Sequence, residues 1–267
     1  MKPDWTSKCG TIQLYNADCR DVLPTLEAGS VAITVTSPPY NTLPQSHKPS
    51  GLHGERKTGV NKWIERAAKG YADNMPEDDY QEWLRGIVGE CIRVSSGLVW
   101  VNHKIRYRDG EAIHPARMLP WAIYSEVIWD RGGSMALNCK RYAPSTEHLL
   151  AFGRPHVWND QQNGLMSVWR LGFDRTENDH PCAYPVALAM RPIESSTRVG
   201  DVVLDPFTGS GTTAIACART GRKFIGTELE QRYFDLAVSR ITAELSRAPL
   251  FTPPTPNQTT MFEDAKP

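Results

Sequence analysis

The chain has 267 residues, of which 40% are hydrophobic and 22% charged, and its 30 basic residues balance its 30 acidic ones. This composition is typical of a soluble globular protein with one large domain, and no apolar run has the length that a bilayer-spanning helix needs. Because the formal net charge is zero, an anionic partner would have to meet a local basic patch rather than a global field.

The six cysteines are scattered and form no C-x-x-C pair. Their spacing therefore indicates neither a zinc knuckle nor a disulfide framework, and we expect no metal site. The first ten residues, "MKPDWTSKCG", lack the apolar core of a secretory signal. Together with reduced thiols, this favours a cytoplasmic location.

The first part of the chain predicts two strands around a helix. The strands are Ile12–Tyr15 and residues 31–36, and the helix covers about residues 20–26. The second strand runs directly into "SPPYN", residues 37–41. Proline has no N–H and fixes φ, so the strand must stop there. Two prolines followed by an aromatic ring suggest that backbone carbonyls and a ring are held in one geometry for a ligand.

Residues 41–70 carry an excess of basic side chains and no sustained periodicity. We predict a long basic loop here, and loops of such length within a domain are usually functional or disordered. A merely solvated charge run is the alternative.

The middle of the chain predicts a helix at 75–94, a strand at 96–103, a helix passing into a strand over 116–129, and a strand at 148–153. Two polar segments, 131–147 and 154–179, interrupt this pattern. Loops of this kind carry the Arg, Asn, Lys and Ser side chains that can read base edges. The histidines are scattered, so we expect them to be structural or at the surface.

The last third alternates regularly between strands and helices, with helices at 184–197, 212–221 and 231–245 and strands at 201–207 and 223–229. Such alternation predicts an α/β fold with a doubly wound, Rossmann-like parallel sheet and helices on both faces. We expect residues 1–247 to form a single domain. The tail, residues 248–267, is rich in proline and threonine and predicts a disordered or loosely docked segment.

A glycine turn lies between the strand at 201–207 and the following helix. Gly209, Gly211 and Ala214 fit the dinucleotide pattern G-x-G-x-x-A, which is weak evidence on its own. Asp205 precedes the turn, where a carboxylate would suit a cationic ligand better than a pyrophosphate. Glu228 ends the next strand, where an acid can bind ribose hydroxyls. A plain strand–helix turn with a capping Asp is the alternative.

Together, "DPFTGSGTT" and "TSPPY" resemble the cofactor and catalytic motifs of DNA amino-methyltransferases. The catalytic motif comes first, which is the beta-group arrangement of that family. "YNADCRDVLPTLEAGSVAITVTSPPYN" and "HPCAYPVALAMRPI" resemble further blocks of it, although Tyr184 departs from the Lys or Phe that is common there. The resemblance implies a methyltransferase that uses S-adenosylmethionine to methylate an exocyclic base amine in double-stranded DNA. It also implies base flipping, a possible homodimer and a possible cognate restriction endonuclease.

The resemblance assigns roles to named positions. Residues expected around the methionine part of the cofactor are Ser37, Asp205, Phe207, Gly209, Ser210, Gly211 and Thr212. Glu228 would bind the ribose, and Asp18 and Cys19 would lie near the adenine.

The catalytic residues implied are Ser37, Pro38, Pro39 and Tyr40. The Ser37 hydroxyl and the Pro38 carbonyl would accept the two amine hydrogens, the prolines would fix that carbonyl, and Tyr40 would stack on the flipped base. Methyl transfer would then depend on positioning and electrostatic preorganisation.

The target base is ambiguous. Ser37 is common in N4-cytosine enzymes, whereas Asn41 is frequent in N6-adenine enzymes of the beta group. We expect adenine, with N4-cytosine as the alternative. The candidate DNA-binding residues are Asn41, Lys48, Arg56, Lys57, Lys62, Arg106, Arg131, Lys140 and Arg141, and the segments 131–147 and 154–179 are candidates for target recognition.

Other functions remain open from the sequence. They are methylation of RNA or of a protein glutamine, a cofactor-dependent DNA-binding module without catalysis, and an NAD dehydrogenase. Ser37 and the basic loop disfavour the protein substrate, and the intact "SPPY" disfavours the binding module.

Overall fold

The computed structural model of the chain describes residues 1–42, 74–108, 111–133, 142–159, 164–172 and 184–247. Its strands are β1 (Trp5–Thr6), β2 (Ile12–Tyr15), β3 (Ile33–Thr36), β4 (Val99–His103), β5 (Arg106–Arg108), β6 (Glu111–Ile113), β7 (Ile123–Asp130), β8 (Thr146–Phe152), β9 (Val168–Arg170), β10 (Val202–Asp205) and β11 (Lys223–Thr227). Its α-helices are α1 (Cys19–Val22), α2 (Glu77–Val94), α3 (Pro115–Met118), α4 (Val186–Ser196), α5 (Thr212–Thr220) and α6 (Gln231–Leu245).

Nine of these strands form one mixed sheet in the order β1-β2-β11-β10-β3-β4-β8-β7-β9. The five central strands from β2 to β4 are parallel, as the alternation of strands and helices predicts. The flanks are mixed: β1 pairs antiparallel with β2, β8 pairs antiparallel with both β4 and β7, and the edge strand β9 pairs parallel with β7. The Rossmann-like sheet is therefore confirmed, and its edges depart from a purely parallel arrangement.

Helices cover both faces of the sheet, because successive residues of the central strands are apolar and point to opposite faces. In β4, Trp100 packs into a core with α4, α5 and α6, whereas Val99 and Val101 pack into a second core with α2. Strands that are buried on both faces have continuous apolar runs in the sequence, which is typical of the centre of an α/β sheet. Helix α2 meets the second core with one face, along Tyr80, Leu84 and Cys91.

The topology brings the two sequence motifs to one edge of the sheet. Strand β10 lies between β11 and β3, and the chain after β10 returns through α5 to β11 rather than to β3. Ligands of doubly wound folds bind at the carboxyl ends of strands where the order reverses in this way. The loop at 205–212 after β10 and the loop at 37–41 after β3 both leave the sheet at this point. We call them the cofactor loop and the catalytic loop.

Some elements differ from the sequence prediction. The helix expected at 20–26 is α1 followed by a short 3₁₀ turn, Leu23–Thr25, because Pro24 disrupts the α-helical hydrogen-bond pattern. The sequence analysis missed β1, β9 and the β5–β6 hairpin, which have two or three residues per strand and are too short to show a period. Most of the predicted basic loop and the whole tail at 248–267 lie outside the described residues.

The single-domain boundary therefore stays a prediction. Among the helices of the described ranges, none is both long enough and apolar enough to cross a membrane.

Candidate cofactor and active site

The buried side chain of Asp205 holds the cofactor loop through hydrogen bonds. It accepts hydrogen bonds from the Thr36 hydroxyl at 2.7 Å, the Thr213 hydroxyl at 2.5 Å and the Phe207 N–H at 3.0 Å. Burial raises the pKa of this carboxyl above its ordinary value, although these hydrogen bonds and one from Tyr184 oppose the rise. Tyr184, which departs from the family pattern, bonds to the Thr213 hydroxyl and adds to the hydrogen bonding around Asp205.

Two glycines let the cofactor loop turn tightly into α5. Gly209 and Gly211 have φ of 54° and 85°, a region that side chains disfavour. A Cβ on Gly211 would also lie 3.2 Å from the Cβ of Ala237, so α6 packs directly against this turn. The Gly209 N–H donates to the Glu228 carboxylate at 2.8 Å, which ties the loop to the end of β11.

The chemistry of this cradle fits S-adenosylmethionine. Asp205 and Glu228 place two carboxylates beside one glycine turn, and burial raises the pKa of Glu228 as well. Carboxylates attract an ammonium or sulfonium group and accept ribose hydroxyls, but they repel a pyrophosphate. The arrangement therefore disfavours a nicotinamide dinucleotide. The contacts of Phe207, Ser210 and Thr212 with the cofactor stay predictions.

Asp18 and Cys19 follow β2 at the same edge of the sheet. Asp18 accepts the Arg20 N–H as the N-cap of α1 and forms an ion pair with the Arg20 guanidinium at 2.6 Å. The hydrogen bonds from Arg20 lower the pKa of Asp18, and burial raises the pKa of the Cys19 thiol to about 12. Cys19 is therefore a neutral packing residue, and a role beside the adenine stays a prediction for both.

A polar network surrounds the catalytic loop. The Tyr40 hydroxyl donates to the Glu147 carboxylate at 2.8 Å and lies 2.7 Å from the Ser37 hydroxyl. The Asn102 amide donates to Tyr40 at 2.8 Å and to Glu147 at 2.7 Å, and Arg131 donates to Glu147 at 3.1 Å. These partners come from β4, β8 and the end of β7.

A second set of contacts holds the prolines. The Tyr80 hydroxyl of α2 donates to the Pro39 carbonyl at 2.6 Å and lies 2.8 Å from Nε2 of His103. The His103 ring packs against Tyr40 with a centroid separation of 4.7 Å. Burial lowers the pKa of His103 to about 3, so this imidazole is neutral at physiological pH.

Asn41, the last residue of the catalytic loop, has an unusual backbone conformation. It has φ of 53°, a conformation that Asn tolerates better than most residues. Its side chain is buried and donates to the Met75 carbonyl at 2.9 Å, and its own carbonyl accepts from Arg108. Asn41 therefore positions the turn from inside.

A cavity of about 300 Å³ lies beside the catalytic loop and has basic walls. Lys104, Arg108 and Arg131 contribute to its lining, and the Lys104 ammonium lies 5.2 Å from the centroid of the Tyr40 ring. Arg106 also lines it, but its guanidinium is buried in a two-pronged ion pair with Glu77 at 2.6 and 2.7 Å. The other candidate DNA-binding residues lie outside the described residues: Lys48, Arg56, Lys57, Lys62, Lys140 and Arg141.

Sequence reasoning missed several residues of this site, namely Tyr80, Asn102, Glu147 and Lys104. The strand "VWVNH" carried a usable signal, because it ends an otherwise apolar run with Asn102 and His103. Glu147 lies near the start of β8, in a segment that was interpreted only as a polar loop. Nothing in its neighbours along the chain connects it to Tyr40.

The structure also joins two histidines that appear unrelated in the sequence. His114 caps α3, and its ring meets His148 of β8, which lies 2.7 Å from the Glu126 carboxylate of β7. These three residues link α3 to the antiparallel strand pair β7 and β8. None of the hydrogen bonds described for the catalytic loop involves them.

The comparisons with known proteins agree with this geometry. The family described as DNA methylase, of N6 and N4 methyltransferases, matches residues 31–239. Among curated relatives, the Type II methyltransferase M.ScaI of Streptomyces caespitosus is 26% identical, with 87% of this chain and 82% of the relative covered. M.XycI of Xanthomonas campestris pv. cyanopsidis is 28% identical, with 87% and 88% covered.

Solved structures share the fold. The PvuII DNA methyltransferase, described as cytosine-N4-specific, superposes with a TM-score of 0.68 at 16% identity and covers 91% of this chain and 94% of its own. A DNA modification methylase of Thermus thermophilus, in complex with S-adenosyl-L-methionine, has a TM-score of 0.59 at 25% identity, with 87% and 95% covered. The chain belongs to the DNA methylase family of S-adenosylmethionine-dependent enzymes that methylate the N6 amine of adenine or the N4 amine of cytosine.

Proposed function

We propose that this chain methylates the N4 amine of cytosine, flipped out of double-stranded DNA, at a specific sequence. The observation that carries the proposal is the direct link between the two loops. The hydroxyl of Thr36, the last residue of β3 directly before the catalytic loop, donates to Asp205 of the cofactor loop at 2.7 Å. A base held by the catalytic loop would therefore lie beside the methyl donor.

The choice of cytosine departs from the expectation from sequence and follows from Asn41. That residue was the reason to favour adenine, but its side chain is buried and its positive φ accounts for the choice of Asn. Because its backbone conformation accounts for Asn41, only Ser37 remains as an indicator of which base is methylated. Serine at this position is common in N4-cytosine enzymes. N6 methylation of adenine is the alternative.

The chain's own residues supply the positioning that the reaction needs. S-adenosylmethionine supplies the methyl group on a sulfonium centre. An exocyclic amine is a poor nucleophile because its lone pair is delocalised into the ring. The Ser37 hydroxyl and the Pro38 carbonyl would accept its two hydrogens and favour a pyramidal nitrogen. The Pro39 carbonyl already accepts from Tyr80, so it fixes the loop, and Pro38 is the acceptor for substrate.

The basic cavity would hold the DNA next to the flipped base. Lys104, Arg108 and Arg131 bring positive charge within reach of phosphates around Tyr40. The basic residues of the loop at 41–70 and of 131–147 would extend this surface, and 154–179 is a second candidate for target recognition. Arg106 is buried in its ion pair with Glu77, and Asn41 is buried as well. We therefore leave both residues out of the proposed DNA surface.

We also infer a cytoplasmic location, and a second copy of the chain or a cognate restriction endonuclease as further partners. The names of the Type II relatives support the endonuclease, and the resemblance to the beta group supports the dimer. Sedimentation of the purified chain with and without duplex DNA tests the dimer.

Incubation of unmethylated plasmid DNA with the purified chain and deuterium-labelled S-adenosylmethionine tests the reaction. The DNA is digested to nucleosides and analysed by mass spectrometry. We expect labelled N4-methylcytosine from the wild type, none from Tyr40→Ala, and wild-type amounts from Tyr124→Ala, an exposed tyrosine at the opposite end of β7. Labelled N6-methyladenine would overturn the choice of base, and no label in DNA would overturn the proposed function.

A further inference from the structure

Glu147 is a buried carboxylate that no part of the family resemblance assigns. It is 5% exposed and is the second residue of β8. It lies beside the end of β4, because the next residue, His148, pairs with His103 in the sheet. One carboxylate oxygen accepts from Tyr40 at 2.8 Å and from Asn102 at 2.7 Å, and the other accepts from Arg131 at 3.1 Å. A buried acid with three donors is held firmly in place.

These contacts fix the direction of each hydrogen bond. A carboxylate can only accept, so the single proton of the Tyr40 hydroxyl points to Glu147. The Tyr40 oxygen then accepts from the Asn102 amide at 2.8 Å. Since the Tyr40 proton points to Glu147, the Ser37 hydroxyl at 2.7 Å must be the donor in its hydrogen bond with Tyr40.

The orientation of Asn102 agrees with this order. Its other amide atom, Oδ1, has no hydrogen-bond partner among the described residues. Exchange of the two amide atoms would place that oxygen against the Glu147 carboxylate, which repels it, so the donors stay directed towards Glu147 and Tyr40.

The direction of these hydrogen bonds affects the substrate through Ser37. The Ser37 oxygen also accepts a long hydrogen bond from the Asn102 amide at 3.4 Å. Because the Ser37 proton is directed to Tyr40, the remaining lone pair of this oxygen is the part left to face the amine. Ser37 can then accept an amine hydrogen, as the reaction requires, instead of donating to the nitrogen and blocking its lone pair.

We propose that Glu147 is a positioning residue that sets Ser37 as an acceptor and receives, through Tyr40 and Ser37, the proton released by the methylated amine. This inference rests on the proposed function. The nitrogen–carbon bond forms as the carbon–sulfur bond breaks, and the electron pair stays on sulfur. The amine proton passes to Ser37, the Ser37 proton passes to Tyr40, and the Tyr40 proton passes to the Glu147 carboxylate. Glu147 later returns its proton to water.

Single-turnover kinetics test the relay. The purified full chain, in excess, is mixed with unmethylated plasmid DNA and tritiated S-adenosylmethionine, and the rate constant of methyl transfer is followed by rapid quench. Glu147→Gln keeps the size of the side chain but cannot take up the proton. We expect its rate constant to fall by about 100-fold, the lower end of general acid–base effects, while calorimetry shows unchanged affinity for S-adenosylmethionine.

Tyr40→Phe provides the second variant, because it keeps the stacking ring and removes only the hydroxyl. We expect a similar fall, and adding Glu147→Gln to Tyr40→Phe should change the rate constant by less than about twofold, since both act through one path. Glu126→Gln, the same substitution on the neighbouring strand β7, serves as the matched control and should keep the wild-type rate.

The outcomes separate the two proposals. If wild-type chain methylates DNA and Glu147→Gln or Tyr40→Phe does so at the wild-type rate, the relay is wrong and the function stands. Full additivity of the two substitutions would also overturn the relay. If Glu147→Gln loses cofactor affinity, Tyr40→Phe alone decides. Absence of methyl transfer to DNA by the wild type would overturn the proposed function and the relay with it.

Discussion

The cofactor loop and the catalytic loop lie side by side at one edge of the sheet, yet they are held by different kinds of partner. The cofactor loop is held largely by its own backbone, by the helix that follows it and by the end of the next strand, through Asp205, Gly209 and Glu228. The catalytic loop is held by side chains from α2, β4 and β8 that are distant in sequence.

This difference has a consequence for substitutions. The cofactor loop concentrates its support in one buried carboxylate, so a single change there should remove several hydrogen bonds together. The catalytic loop distributes its support over Tyr80, Asn102 and Glu147, so single changes should have smaller and separable effects on stability.

Asp205→Ala should give the largest effect. It leaves the Thr36 and Thr213 hydroxyls and the Phe207 N–H without their acceptor in a buried site, and each such loss costs about 1–3 kcal/mol. We expect the affinity for S-adenosylmethionine to fall by at least about 100-fold, or about 2.7 kcal/mol. Calorimetry measures it, with the exposed Asp235→Ala as the control. Affinity within threefold of the wild type would show that the loop holds its shape without this carboxylate.

The catalytic loop should make the chain sensitive to acid through His103. Its pKa is lowered to about 3 in the folded state, whereas an unfolded histidine titrates near 6.5. Between these values only the unfolded chain takes up the proton, so the free energy of unfolding falls as the pH falls. At pH 5 the loss should be about 2 kcal/mol.

Urea unfolding at pH 7 and pH 5 measures this effect. His103→Gln should remove that part of the pH dependence, and the exposed His156→Gln should keep it. Equal pH dependence in wild type and His103→Gln would mean that folding does not lower the pKa of this imidazole.

Tyr80→Phe should weaken the catalytic loop modestly. The change removes the hydroxyl that donates to the Pro39 carbonyl at 2.6 Å and keeps the buried ring. We expect the free energy of unfolding to fall by about 1 kcal/mol, with unchanged affinity for S-adenosylmethionine. Urea denaturation and calorimetry measure the two quantities, and Tyr124→Phe is the control. Weaker cofactor binding in Tyr80→Phe would show that the two loops are coupled more tightly than their separate supports imply.

Lys104→Ala should have the smallest effect, confined to DNA. If its ammonium meets one phosphate, the slope of log affinity against log salt concentration should become shallower by about 0.9. Fluorescence anisotropy of labelled duplex DNA at several salt concentrations measures the slope. Lys223→Ala, an exposed lysine at the start of β11, is the control. An unchanged slope for Lys104→Ala would place the DNA elsewhere.

The cofactor loop, whose partners are mostly close in sequence, could be predicted from the sequence better than the catalytic loop, whose partners are distant. The strand, glycine turn and helix around 202–220 are recognisable because their signals are local: an apolar run, two glycines and a helical period. The prediction of Asp205 and Glu228 as a pair also used neighbouring segments of the chain. Asn41, by contrast, was interpreted as a DNA-binding residue, because its positive φ is invisible in the sequence.

The sequence by itself determined the family, the order of the motifs and the residues that begin each loop, because these depend on short-range chemistry. The tertiary structure alone decided that Glu147 and Asn102 meet Tyr40, that Arg106 is buried against Glu77, and that Lys104 faces the cavity. Such contacts depend on the register between β4 and β8 and on the packing of α2. Both join segments that are far apart in sequence, so no local pattern specifies them.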